Sequence, residues 1–453
     1  MHDIPFLVFL AALFGLGFKR PFLFVLVYAY IDIVSPQRLT YALLNSIPIS
    51  MIAVALAVGG WLAVDDKRGL RMMPRQLMML VLLAYCAWTT ANADFPVDAQ
   101  SKWEWVWKAL AFAIFLPFTL RTRLRIEALL LFMTLSAASI IIVGGIKTAA
   151  GGGGYGELNL MIDNNSGLYE GSTISTVAIC IIPLILWFTR HGTLFKPDWK
   201  VKVFAYALVL ACCLIPVGTS TRTGLLCIVL LAALMLRDVK RPLVYVGVIA
   251  ALGLVAVPFL PSAFTERMGT IKNYQGDSSA STRVAVWNWT MDYVKSHPTG
   301  GGFEAYRGNH IRYEKVEAVD LGGGQTSLKT TIETDKARAY HSAYFEMLGE
   351  QGYPGLALWL LINIAGLFRM EVLRQRYKKA EGDEAWIAPL ASALQQGHIV
   401  YLLGAAFIAI AFQPFVYMLI GAQIGLDAYC ARKRVAADWR PLRKARAGVA
   451  SAA

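Results

Sequence analysis

The sequence predicts an all-α polytopic membrane protein with about 12 transmembrane helices, and three observations carry that prediction. Of 453 residues, 57% are apolar and 16% are charged, where a soluble globule has about a quarter charged. Apolar runs of roughly 15–20 residues recur along the chain, close to the length a spanning helix needs. The formal net charge of +13 is gathered in short clusters between those runs, as in cytoplasmic loops. The charge is therefore topological, and the expected surroundings are a lipid bilayer with no nucleic-acid partner.

The apolar stretches FLVFLAALFGLGF and PFLFVLVYAYIDIV, parted by Lys19 and Arg20, are each short for a span and read as two short helices or one broken unit. The first lacks a basic start, so no cleavable signal peptide is expected. Ile47 to Val64 spans next, followed by the basic DDKRGLRMMPR; Leu77 to Ala93 then leads into the acidic ANADFPVDAQSKWE. Trp103 to Leu120 ends at Arg121, Arg123 and Arg125, and Ile126 to Gly145 ends in a glycine-rich stretch holding Asp163, Asn164 and Asn165. Ser172 to Thr189 precedes RHGTLFKPDWKVK, Val203 to Val217 and Leu225 to Leu236 flank GTSTRTG, and RDVKRP leads to Val244 through Leu260. Residues 1–260 thus form transmembrane helices with short loops and 261–340 one large loop. Residues 341–430 form further transmembrane helices, and 431–453 a basic tail.

With the basic loops inside, five connections face outward: those near Gln37, at the acidic stretch, at the glycine-rich stretch, at GTSTRTG and across the large loop. The C-terminus is cytoplasmic. Within the large loop, WNWTMDYVKSH carries apolar residues at helical spacing and suggests an ordered cap, while glycine clusters on either side of residue 312 argue for turns or a lid. The six cysteines lack C-x-x-C spacing and read as buried thiols. No metal-ligand pattern is present.

Three residues stand out for chemistry. Arg222, hemmed between two apolar spans among hydroxyls and glycines, reads as a snorkelling interfacial arginine or as a bidentate phosphate clamp. Arg283, after the polar GDSSAST, stands near a helix start, where anions are favoured, or forms an ordinary loop salt bridge. His341, where the large loop meets an apolar helix, is a helix-start histidine bonded to backbone or a group poised to take a proton near neutral pH. Glu346 and Glu350, one helical turn apart, read as packing or loop contacts. Trp103, Trp105 and Trp107 read as an interfacial belt rather than a binding platform.

An arginine in GTSTRTG between two spans, a large loop opening with STR and passing through HPTGGGF, and then YHSAYFEMLGEQGYPGL resemble the O-antigen ligase family. Its relatives include O-antigen polymerases and protein O-oligosaccharyltransferases. The opening RPFLFVLVYAYIDIVSPQRLTY is similar to O-glycosylation ligases associated with exosortase systems. The resemblance implies a GT-C-like, metal-independent, inverting glycosyltransferase of the bacterial inner membrane that needs no cofactor. Such an enzyme moves a glycan from undecaprenyl diphosphate to a sugar hydroxyl of lipid A–core, on the periplasmic side, in lipopolysaccharide biosynthesis. It implies that Arg222 and Arg283 bind the diphosphate and that His341 is the catalytic base or positions the acceptor. The chain departs from the family pattern at Ser342, where asparagine is frequent.

Overall fold

The computed structural model describes residues 3–40, 44, 46–151, 168–196, 198–238, 241–244, 247, 278–320 and 326–438. The glycine-rich stretch with Asp163, Asn164 and Asn165, most of the span expected over 244–260, residues 261–277 and the tail beyond Asp438 lie outside them.

The first apolar stretches form two helices, α1 (Asp3–Lys19) and α2 (Phe22–Val34), which break at Arg20-Pro21 and pack on each other. A single turn, α3 (Pro36–Leu39), follows a left-handed Ser35. Then come α4 (Ile49–Val64), α5 (Pro74–Ala91) and α6 (Pro96–Thr119). The last starts well before the expected span, because Pro96 presets the first helical position and Asp98 complements the positive helix end. Further on are α7 (Arg123–Gly151), α8 (Gly171–His191), α9 (Trp199–Gly218) and α10 (Arg222–Met235). Four of the described helices are long and apolar enough to cross a membrane, and four shorter apolar ones accompany them.

In the large loop, WNWTMDYVKSH does belong to a helix, α11 (Ser278–Ser296). The all-α expectation needs one correction, for an antiparallel hairpin of β1 (His310–Asp320) and β2 (Thr326–Lys336) follows, with His310 opposite Lys336 and Asp320 opposite Thr326. The physical reason lies in β2, where Thr326, Thr330, Thr331, Ile332 and Thr334 are β-branched residues suited to a pleated strand. The chain then enters α12 (Ala343–Arg376), kinked where Gly352 leaves helical geometry just before Pro354, and ends in α13 (Ile387–Ala405) and α14 (Pro414–Asp438). Helix α13 packs on α8 and α12, α14 on α6, and α9 on α7 around one continuous apolar core. All six cysteines are free, and five are buried.

Two sets of polar contacts lie at opposite ends of these helices. In one, arginines of the basic loops join their neighbours: Arg125 grips Asp65 with Nη2 at 2.7 Å, Arg123 reaches the His191 carbonyl at 2.6 Å, and Arg432 reaches the Leu120 carbonyl at 3.0 Å. The other set gathers the connections expected to face outward. There the Asp94 amide donates to the Gly301 carbonyl at 2.9 Å, Arg307 pairs with Asp98 at 3.2 Å, and the start of α8 packs on Thr219.

Candidate active site

His341 lies immediately before the N-cap of α12, with a left-handed backbone, φ 50°. A residue with a Cβ is strained in that conformation, which persists where the surroundings impose it. The surroundings here are α11 and its docking residue Trp287. Its indole N–H donates to the Tyr340 carbonyl at 2.9 Å, and its ring stacks on Phe345 with centroids 4.9 Å apart. Val286, Ile311 and buried Tyr340 fill a small apolar cluster behind this contact. Arg283 precedes Trp287 by four residues and so shares its helix face. It stands in the second turn of α11, near the helix start as the sequence suggests.

The charge of Arg283 acts on His341. Burial pushes the His341 imidazole below its ordinary pKa, the charges of Arg283 and then Arg338 push the same way, and Glu170 opposes them. At neutral pH the ring is therefore in its proton-accepting form.

Glu170 ties this corner to the Arg222 turn. Its carboxylate caps α8, accepting from the Ser172 amide at 3.0 Å and the Thr173 amide at 2.6 Å. The adjoining Gly171 packs on Thr219 and Thr221. Ser220 takes a left-handed φ of 51°, which turns the chain sharply so that Arg222 opens α10. The Thr221 hydroxyl donates to Ser175 at 2.9 Å and is engaged within the protein. The Thr221 side chain does not cap α10, and that helix end favours an anion. Arg222 and Arg283 each have an interaction partner already. Ser342, buried at 1% exposure, is the N-cap of α12.

The glycine motifs act as joints. Gly300, φ 83°, and Gly352, φ 63°, lie back to back: a Cβ on Gly300 would sit 2.4 Å from the Glu350 carbonyl oxygen, and one on Gly352 would sit 2.2 Å from that of Pro298. Only glycine permits that approach. The Gly302 amide then donates to the Glu350 carbonyl and the Tyr353 amide to that of Pro298, both at 3.0 Å. HPTGGGF is thereby fastened to the kink of α12, so this glycine cluster is a dock rather than a lid.

Glu346 and Glu350 serve packing, as read from the sequence. Lys102 of α6 donates to Glu346 at 2.7 Å and Glu350 at 2.8 Å; Glu346 also accepts from the Ala411 amide and Glu350 from the Glu304 amide. The expectation of an aromatic belt fails at one residue. Trp103 and Trp107 line a shallow apolar groove along α5, but Trp105 lines a polar cavity of 360 Å³ bounded by α3, α6, residues 304–307 and Ala339-Tyr340. None of Arg222, Arg283 and His341 lines that cavity.

Sequence reasoning missed Glu170 and Lys102. Glu170 is a glutamate at a position usually held by Ser, Thr, Asp or Asn, and Lys102 meets partners 244 and 248 residues away. Only Arg338, three residues before His341, was visible as a nearby charge.

Two family models match the chain. Residues 1–193 match a family of unknown function, DUF5935, and residues 206–360 match the O-antigen ligase family. No curated protein matches the chain. The second match covers Arg222, Arg283 and His341 together with the docked glycine motifs, so the region that holds these residues is similar to the O-antigen ligase family.

Proposed function

We propose that this protein is a metal-independent glycosyltransferase of the bacterial inner membrane that moves a glycan from undecaprenyl diphosphate to a sugar hydroxyl of lipid A–core. Its helices form a GT-C-like assembly of about 12 spans. The site faces the periplasm and the C-terminus the cytoplasm, as the segregation of basic loops to one end supports. The observation that carries the reading is a proton-accepting His341 held in a strained turn within reach of the Arg283 charge, with the Arg222 turn packed beside Glu170.

In this reaction Arg222 and Arg283 hold the diphosphate. His341 takes the proton from the acceptor hydroxyl as its oxygen attacks the anomeric carbon. The bond from that carbon to the diphosphate oxygen breaks, and the electron pair leaves with undecaprenyl diphosphate, whose growing charge the guanidinium groups stabilise. Attack opposite the leaving group inverts the anomeric centre. The proton on His341 then passes to solvent.

The test is transfer by purified protein supplied with undecaprenyl-diphosphate-linked oligosaccharide and lipid A–core in the presence of EDTA. The expected product is glycosylated lipid A–core of inverted anomeric configuration. Transfer only to a second lipid-linked glycan or to a protein would replace the acceptor in this reading. Absence of transfer to all three would overturn it.

A further inference from the structure

The polar cavity beside the site has no role in the chemistry above. Its 360 Å³ falls within the range of about 300–1,000 Å³ common for small-molecule sites. A second chamber of 220 Å³ adjoins it, sharing Arg38, Ser101 and Trp105 as walls and running on to Asp32 and Lys108. One side is built from the N-terminal region that matches the family of unknown function: Arg38, Asp98, Ser101, Lys102 and Trp105. The facing side comes from the O-antigen ligase match, including Glu304, Tyr306, Arg307 and Tyr340. With Ala409, Ile410, Phe412 and Gln413 closing it from outside both matches, the cleft lies between the two matched regions and reaches Ala339 and Tyr340, directly before His341.

The lining chemistry narrows the ligand. Three cations, Arg38, Lys102 and Arg307, face four carboxylates, Asp98, Glu304, Glu346 and Glu350. Lys102 is held by Glu346 and Glu350, and Arg307 by Asp98 and Glu304. A diphosphate would add negative charge to a wall already richer in carboxylates than in cations. A neutral ligand dense in hydroxyls suits it better, since each hydroxyl both donates and accepts. Trp105 and Tyr306 add aromatic surface on which the C–H face of a sugar ring can pack. Among the described residues, Arg38 Nη1, at the wall the two chambers share, and Gln37 Oε1, in the second chamber, are buried without a hydrogen-bond partner, a donor and an acceptor left open. Arg38 is also within electrostatic reach of Tyr169, the neighbour of Glu170.

We propose that this cleft is the acceptor-glycan subsite: it takes a short, hydroxyl-rich carbohydrate segment, packs it on Trp105 and delivers its terminal hydroxyl toward His341. The N-terminal region would then supply one wall of acceptor selection. This inference rests on the glycan-transfer reading, so its test uses binding as well as turnover.

Full-length protein in lipid nanodiscs is titrated with delipidated core oligosaccharide, with undecaprenyl diphosphate and with a serine-rich peptide. Wild type should bind the oligosaccharide, and Trp105→Ala and Arg38→Gln should each weaken that binding by about tenfold or more. Undecaprenyl diphosphate should bind both variants within about twofold of wild type, which also shows that they are folded, and Trp105→Phe should restore most oligosaccharide binding. In turnover, Trp105→Ala should raise the acceptor KM and leave the donor KM unchanged. Oligosaccharide binding that ignores both substitutions, competition by inorganic pyrophosphate, or peptide binding lost with Trp105 in place of sugar binding overturns the proposal. Oligosaccharide bound through Trp105 by a protein that transfers nothing would sink the transfer reading and leave the cleft standing; transfer with an unchanged acceptor KM would do the reverse.

Discussion

His341 and Ser220 share an uncommon backbone, φ 50° and 51°, and each sits in a turn that delivers a site residue. Holding a side-chain-bearing residue there costs on the order of 1–3 kcal/mol, so the packing of Trp287 on Tyr340 and Phe345 and the hydroxyl bonds among Ser175, Thr219 and Thr221 must hold the turns in place. The His341 environment gives a signed prediction. Burial and the two arginine charges lower its pKa, so activity depending on the neutral ring should be constant near neutrality and fall only as pH drops below the ordinary histidine value of about 6.5. Removing one positive neighbour by Arg283→Gln should move that acid limb to higher pH while also raising the donor KM. Rate profiles of both proteins between pH 5 and 8 decide this; an acid limb that stays put or moves lower would separate Arg283 from His341.

Lys102 links α6 to α12 through two carboxylates, each with a second bond to loop backbone. Removing one partner from such a buried cluster leaves unpaired charge and costs about 3–5 kcal/mol. Lys102→Met should therefore lower the unfolding temperature of detergent-solubilised protein markedly, and adding Glu350→Gln should recover part of the loss; an unchanged unfolding temperature would show that the cluster is not structural. This element-scale bond was half legible. The spacing of Glu346 and Glu350 pointed to packing, but nothing local identifies a lysine in a distant helix as their partner. The HPTGGGF and GEQGYPG glycines were legible as special backbone, whereas their mutual close approach was not, since it joins segments some fifty residues apart and depends on which faces meet. The β-hairpin was readable from the threonines of β2 and was obscured by the glycines between its strands, which favoured a loop reading.

Across the whole molecule, charge alternation was the most informative sequence signal. It sorted the loops into two groups, and the contacts gather them at opposite ends of the helices. Segment lengths were less informative: α6 and α12 each begin some residues before their apolar stretch, because Pro96 and Ser342 set the helix starts. The polar cleft was invisible from sequence, since its walls come from α3, α6, the large loop and the segment before α14, with Trp105 turned away from the apolar groove of its neighbours. What unites these parts is the claim that lipid-linked glycan is transferred by a proton-accepting histidine at the start of α12. The most direct test compares transfer by wild type and His341→Gly. Glycine accepts the left-handed backbone at that position without strain, so the variant should be at least as stable as wild type by thermal unfolding. The account predicts a stable protein whose transfer rate falls by about 10²–10⁴-fold. A stable His341→Gly protein that transfers within about twofold of the wild-type rate would contradict it.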